Sequence, residues 1–141
     1  MDETRMYKLA EEFLDAWNSQ DVDRVVAVYT DDVTYVDPNT RGAVKGADAL
    51  RRFLKKLLAG WKMQWSLREA HLFEGGNGCA ILWHAVFQRP DSETIVEADG
   101  MDLVIVRGDR VERNEVYFDR TVLAPLWGVV RDKQHPIHAQ T

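Results

Sequence analysis

Apolar residues recur every three to four positions through the first third of the chain. Met6, Ala10, Phe13 and Trp17 form one stripe, Leu9 and Leu14 widen it, and Glu11, Glu12 and Asp15 take the opposite side. That period predicts an amphipathic helix, broken by Asn18-Ser19-Gln20. Asp21 is suited to cap a second, short helix that turns Val22, Val25, Val26 and Tyr29 inward, because its carboxylate accepts from the orphan N–H groups of a first turn. Asp31-Asp32 closes that helix, and the β-branched and aromatic run Val33-Thr34-Tyr35-Val36 predicts a strand. Pro38 holds Asp37 extended and ends the ladder. After turn residues Asn39, Gly42 and Gly46, a third helix from about Ala47 buries Leu50, Phe53, Leu54, Leu57 and Leu58, with Gly60 past its end.

From Trp61 onward the period becomes two. Strands are predicted at roughly 61–73, 79–89, 94–106 and 110–118, separated by Glu74-Gly75-Gly76-Asn77-Gly78, by Pro90-Asp91-Ser92-Glu93 and by Gly108-Asp109. Connections this short make antiparallel neighbours. Thr121 to Trp127 reads as a last short helix, and 128–141 as a polar tail. Helices first and a meander afterwards is an α+β order, here in one domain over 1–127. Residues 79–89 are apolar on both alternating sets, with Ile81, Trp83 and Phe87 on one and Leu82 and Val86 on the other. One set meets the helices; covering the other predicts a homodimer.

Composition narrows the partners. The chain has 141 residues, 45% of them hydrophobic, and its 18 Lys+Arg against 23 Asp+Glu give a net charge of −5. Phosphate backbones are bound by clustered positive charge, so nucleic acid is not an expected partner. No apolar run reaches the ~18 residues of a membrane span, so no membrane partner is expected and the expected location is cytoplasmic. Cys79 is alone, which rules out an internal disulfide. No metal is expected: His135-Pro136-Ile137-His138 has no accompanying carboxylate cluster. Gly75-Gly76-Asn77-Gly78 precedes a strand instead of a helix, which argues against a phosphate cradle.

Several local motifs, in order, carry a resemblance: Trp17-Asn18 then Asp21-Val22-Asp23; Tyr29-Thr30-Asp31-Asp32-Val33; Tyr35-Val36-Asp37-Pro38; Lys45-Gly46; Gly100-Met101-Asp102; Arg107-Gly108-Asp109-Arg110-Val111; and Tyr117-Phe118-Asp119. Over about residues 5 to 127 the chain resembles the SnoaL-like and ketosteroid-isomerase-like branch of the nuclear transport factor 2-like superfamily. The resemblance implies a cone-shaped α+β fold, with three N-terminal helices packed in a curved antiparallel sheet around an apolar pocket, and frequent dimers. It leaves function open, because the fold hosts isomerases, cyclases, hydrolases, dehydratases and proteins without catalysis.

By that resemblance Asp37 matches the isomerases' general base. A carboxylate in an apolar cavity is desolvated, which raises its basicity; Asp before Pro is equally a common turn residue bonding its own backbone. Asp102 matches the acid that stays protonated and donates to an enolate oxygen, provided the strand parity turns it inward with Gly100 and Val104. Phe13 falls where the isomerases carry a second, tyrosine donor, and a phenyl ring donates nothing; Tyr29, Tyr35 or Trp17 would have to replace it. Phe13, Trp17, Tyr35, Phe53, Trp65, Trp83, Asn114 and Phe118 are the candidate substrate-binding residues, the aromatics being equally suited to plain core. Glu69, His71 and His84 are further polar candidates, Glu69 and His71 by sharing a strand side with Trp65. The function implied is a cofactor-free isomerase, cyclase or lyase of the ketosteroid-isomerase or SnoaL-like polyketide-cyclase type, acting on a hydrophobic carbonyl compound. The alternative is a non-catalytic dimeric binding protein for an apolar small molecule.

Overall fold

The computed structural model describes residues 1–127; the polar tail at 128–141, with its two histidines, lies outside the described residues. Helix α1 (Glu3–Asn18) buries Met6, Ala10, Phe13, Leu14, Ala16 and Trp17, the predicted stripe, and is capped by Asp2. Asp21 caps α2 (Val22–Val26) by accepting from the Asp23 and Arg24 amides. Helix α3 (Ala47–Gly60) starts from Gly46 at φ +88°, a left-handed conformation that suits glycine. Gly60 is its last residue, and the chain turns extended at Trp61.

The strands are β1 (Tyr29–Val36), β2 (Val44–Lys45), β3 (Lys62–Leu72), β4 (Gly78–Gln88), β5 (Ile95–Arg107) and β6 (Arg110–Tyr117). They form one sheet in the order β2-β1-β6-β5-β4-β3. The β3–β6 meander is antiparallel throughout, as the short connections require. A 3-10 turn (Arg120–Leu123) follows, and 124–127 are helical, close to the helix expected from Thr121.

Besides the short β2, which lies among the expected turn residues, two features depart from the pattern-based expectation. Strand β1 starts at Tyr29, so α2 ends earlier than predicted and Asp31-Asp32 lies in the strand. Both aspartates are exposed there, and Asp32 is held by the Arg107 guanidinium and the Thr30 hydroxyl, which let the pair sit in a ladder. Strand β1 also pairs with β6 in parallel, the one parallel pairing in the sheet. The chain between them runs through most of the fold, so sequence proximity does not fix that pairing.

Alternation along the meander gives the sheet two unlike faces. Cys79, Ile81, Trp83, Ala85 and Phe87 of β4 and Val104 of β5 point at the helices and are buried. On the outer face Leu82, Val86, Met101 and Leu103 keep partial exposure, while Ile95 and Tyr117 are exposed. Charged groups lie among them: His84 bonds Asp99 and Glu97 at 2.8 Å each, and Arg68 lies 3.8 Å from Asp99.

Gly100 decides how β4 and β5 fit. It pairs with Trp83, and a Cβ there would stand 2.4 Å from the indole Cη2 and 2.7 Å from the Tyr117 carbonyl oxygen. Only a hydrogen leaves room for the indole to lie along β5. Gly100→Ala is therefore expected to destabilise the fold by about 1–3 kcal/mol through overpacking, read as a lower urea midpoint at an unchanged m-value.

Candidate active site

The cone encloses a cavity between α1, α3 and the inner sheet face. About 580 Å³ is unfilled by protein atoms, the open mouth included, and about 50 Å³ of it is reachable by the centre of a water molecule. That smaller volume holds about three to five waters, so an organic ligand must displace them and shift some of the rings. The wall is largely aromatic and aliphatic, with Phe13, Trp17, Trp61, Met63, Trp65, Trp83, Phe87 and Phe118 among its residues; the two acids on it are Asp37 and Asp102.

Asp102 is 5% exposed. The Trp83 indole, free to lie along β5 because of Gly100, donates Nε1–H to its Oδ1 at 2.9 Å. The Asn114 amide on neighbouring β6 donates to Oδ2 at 3.3 Å. Behind them the Tyr29 hydroxyl donates to Asn114 Oδ1 at 2.7 Å and accepts from Trp17 Nε1 at 3.2 Å. Four strands and a helix thus meet in one buried chain of hydrogen bonds. Burial pushes the Asp102 carboxyl up to about 7; the Trp83 and Asn114 donors oppose this, and the charge on Asp37 adds to it. Near neutral pH a large fraction of Asp102 therefore carries a proton.

Asp37 divides its two oxygens. Oδ1 accepts from the Asn39 and Thr40 amides at 2.7 and 3.0 Å, the turn role open to an aspartate before proline. Oδ2 accepts from the Tyr35 hydroxyl at 2.8 Å, a buried group. A carboxylate oxygen has two acceptor positions, so Oδ2 keeps one beyond its bond to Tyr35.

Against this geometry, Phe13, Trp17, Tyr35, Trp65, Trp83 and Phe118 all lie on the cavity wall. Phe53 does not: its ring backs Tyr35 at 5.5 Å. Asn114 also sits outside the lining, fully buried behind Asp102. Among the possible replacements for the missing donor, Tyr29, Tyr35 and Trp17 already donate to Asn114, Asp37 and Tyr29. Glu69 and His71 face away from the pocket: β3 is bulged between Leu67 and Glu69, and the extra residue inverts the alternation beyond it. The two bond each other in solvent at 2.7 Å, and His84 is likewise on the outer face. Cys79 is buried, and desolvation followed by the Asp102 charge lifts its thiol to about 11, far from a nucleophile's range. Among the described residues no cluster of His, Cys, Asp and Glu could hold a metal ion, and no helix is long and apolar enough to cross a membrane.

A family model for the SnoaL-like domain matches residues 10–114. The chain belongs to the SnoaL-like family. Solved structures extend the likeness of this SnoaL-like chain at the level of fold. A protein from Catenulispora acidiphila DSM 44928 with a ketosteroid isomerase-like fold, solved with trimethylamine, is 17% identical, with TM-score 0.73 over 82% of this chain and 89% of that one. The epoxide hydrolase/cyclase-like enzyme SalBIII, of pyran ring formation in salinomycin, is 19% identical, with TM-score 0.74 over 85% and 95%. A nuclear transport factor 2-like protein from Burkholderia xenovorans LB400 is 21% identical, with TM-score 0.66 over 89% and 97%. No curated protein matches the sequence.

The SnoaL-like cone carries its buried acid at a cost that depends on pH. An aspartate in the unfolded chain titrates near 3.8, and Asp102 in the fold near 7. Between those values the unfolded chain has released a proton that the native state still holds, so stability falls as pH rises through the window and levels off above about 7. Urea unfolding at pH 4, 5.5 and 7 should show wild type losing on the order of a few kcal/mol relative to Asp102→Asn over that interval. A difference that stays constant with pH contradicts this assignment.

Proposed function

We propose that this SnoaL-like protein is a cofactor-free isomerase, cyclase or lyase for a hydrophobic ketone-type substrate, with Asp37 as general base and neutral Asp102 as donor to the developing oxyanion. The reading rests on one observation: two carboxyl groups in unlike environments open onto one aromatic-walled cavity. Pairs of acids whose surroundings separate their protonation states are suited to divide base and acid roles.

In this mechanism the substrate carbonyl oxygen lies against Asp102. Asp37 Oδ2, oriented by Tyr35, removes a proton from the adjacent carbon, and the electron pair of the broken C–H bond moves into an enolate. Its oxygen receives the hydrogen bond of protonated Asp102. Asp37 then returns the proton to carbon, at a second position in an isomerase. A desolvated site strengthens these interactions because no water competes for the same atoms.

Hydrogen–deuterium exchange at the carbon beside the carbonyl of 1-tetralone, followed by NMR in heavy water, tests the base directly. Asp37→Asn retains the turn-forming oxygen but removes the base. Exchange is expected to slow at least a hundredfold, within the ~10²–10⁴ range of general base catalysis, and in wild type to decline above about pH 7 as Asp102 gives up its proton. An unchanged rate in Asp37→Asn removes the base assignment. Phe13 favours a second reading, ligand binding without turnover, since the oxyanion would then meet Asp102 alone; a thermal shift with the ketone and no exchange in wild type would select it.

The half-covered apolar residues of the outer sheet face support a homodimer, with the cavity of each protomer complete in itself. Sedimentation at micromolar concentration should give twice 16.2 kDa; a monomer there would remove the dimer.

A further inference from the structure

Among the described residues, two buried side-chain polar atoms have no hydrogen-bond partner, and one of them is Trp65 Nε1. Trp65 lines the cavity. A closed-off donor without an acceptor loses its hydration with nothing in return, and a phenyl ring would fill similar space without that loss.

The ring is also firmly held. Asn18, the last residue of α1, clamps the Trp65 backbone on both sides: its Oδ1 accepts from the Trp65 amide at 2.7 Å and its Nδ2 donates to the Trp65 carbonyl at 2.9 Å. Trp17, Trp83 and Phe87 surround the indole edge-to-face, with centroids 6.4, 4.7 and 5.5 Å away. None of these rings offers an oxygen or nitrogen lone pair to an N–H. The other buried side-chain donors on the wall are committed: Trp17 to Tyr29, Tyr35 to Asp37 and Trp83 to Asp102.

From this we infer that Trp65 Nε1–H is a ligand anchor, and that the pocket takes hydrophobic ketones bearing a second acceptor oxygen. The inference rests on the ketone-binding role proposed above and deepens it. One oxygen meets Asp102, the other meets Trp65, and the carbon skeleton between them fills the aromatic hollow. Trp65 is then a specificity-determining residue: it selects among ketones by the placement of their second oxygen and moves no proton.

Binding of 1-tetralone and of its 5-, 6- and 7-methoxy derivatives to wild type and Trp65→Phe, measured by calorimetry, tests this. The methoxy oxygen accepts without donating, so it reports on the indole N–H alone. At least one isomer is expected to bind wild type about five- to tenfold more tightly than 1-tetralone, the usual worth of one hydrogen bond. In Trp65→Phe the affinity of that isomer relative to 1-tetralone is expected to fall to about one, because both ketones share whatever the lost ring contacts cost. The Trp65 indole proton signal of wild type should move downfield with that isomer and stay in place with 1-tetralone; this readout stands should the variant not fold. If 1-tetralone binds and no isomer binds more tightly, if the gain survives in the variant, or if the indole signal does not move, the anchor is overturned and the ketone pocket stands. If no ketone binds at all, the pocket reading fails and the anchor with it.

Discussion

A carboxyl group shut inside a hollow of aromatic rings, with no cation among the groups that act on it, sets the terms for the rest of this molecule. Ionised, Asp102 would hold an uncompensated charge away from water; neutral, it needs only hydrogen bonds. The fold supplies those through an indole and an amide, both weaker partners for a carboxylate than a guanidinium. The register of three strands makes them available: Trp83 on β4, Asp102 on β5 and Asn114 on β6 face one side, and Gly100 leaves the indole room to reach across. Tyr29 and Trp17 extend the chain of bonds into β1 and α1, so the same atoms that tune the acid also join the helix layer to the sheet.

Asp37 is built on the opposite principle. It stands where β1 gives way to a turn, and the backbone itself supplies two of its three donors. Turn-forming and chemical roles do not compete there, because they fall on different oxygens. Membership of the SnoaL-like family brings the cone, and one fold can host many chemistries; in this chain what bears on function is which polar atoms the cone turns inward and which of them are already engaged.

Much of this was legible in the residues. Helical spacing located α1 and α3, the capping role of Asp21 follows from its chemistry, and the apolar set Ile81, Trp83 and Phe87 marks the side of β4 that faces the helices. Alternation left both parities of Asp102 open; in the fold it turns inward with Val104 and meets the Trp83 indole. What was hidden depended on distant partners. Tyr29 through Asp32 has a helix-compatible pattern, and it becomes strand because β6 lies beside it and Arg107 receives Asp32. Phe53 and Asn114 are separated from the cavity by one layer of side chains, Tyr35 and Asp102, a depth that alternation alone cannot express. Trp65 was legible as an aromatic wall residue; its unmatched N–H emerges only from knowing where every neighbouring donor points.

The bulge in β3 has a genetic corollary. Arg68 is the extra residue that lets Trp65 and Leu67 face inward before it while Ala70 and Leu72 do so after it. Lose that one codon in frame and Leu67 and Glu69 become neighbours in a regular ladder, with every later side chain keeping its β4 partner and its side. A three-base deletion at the bulge should therefore do less harm than one at Ser66, where closing the register would turn Leu67 out to solvent and Arg68 into the cone.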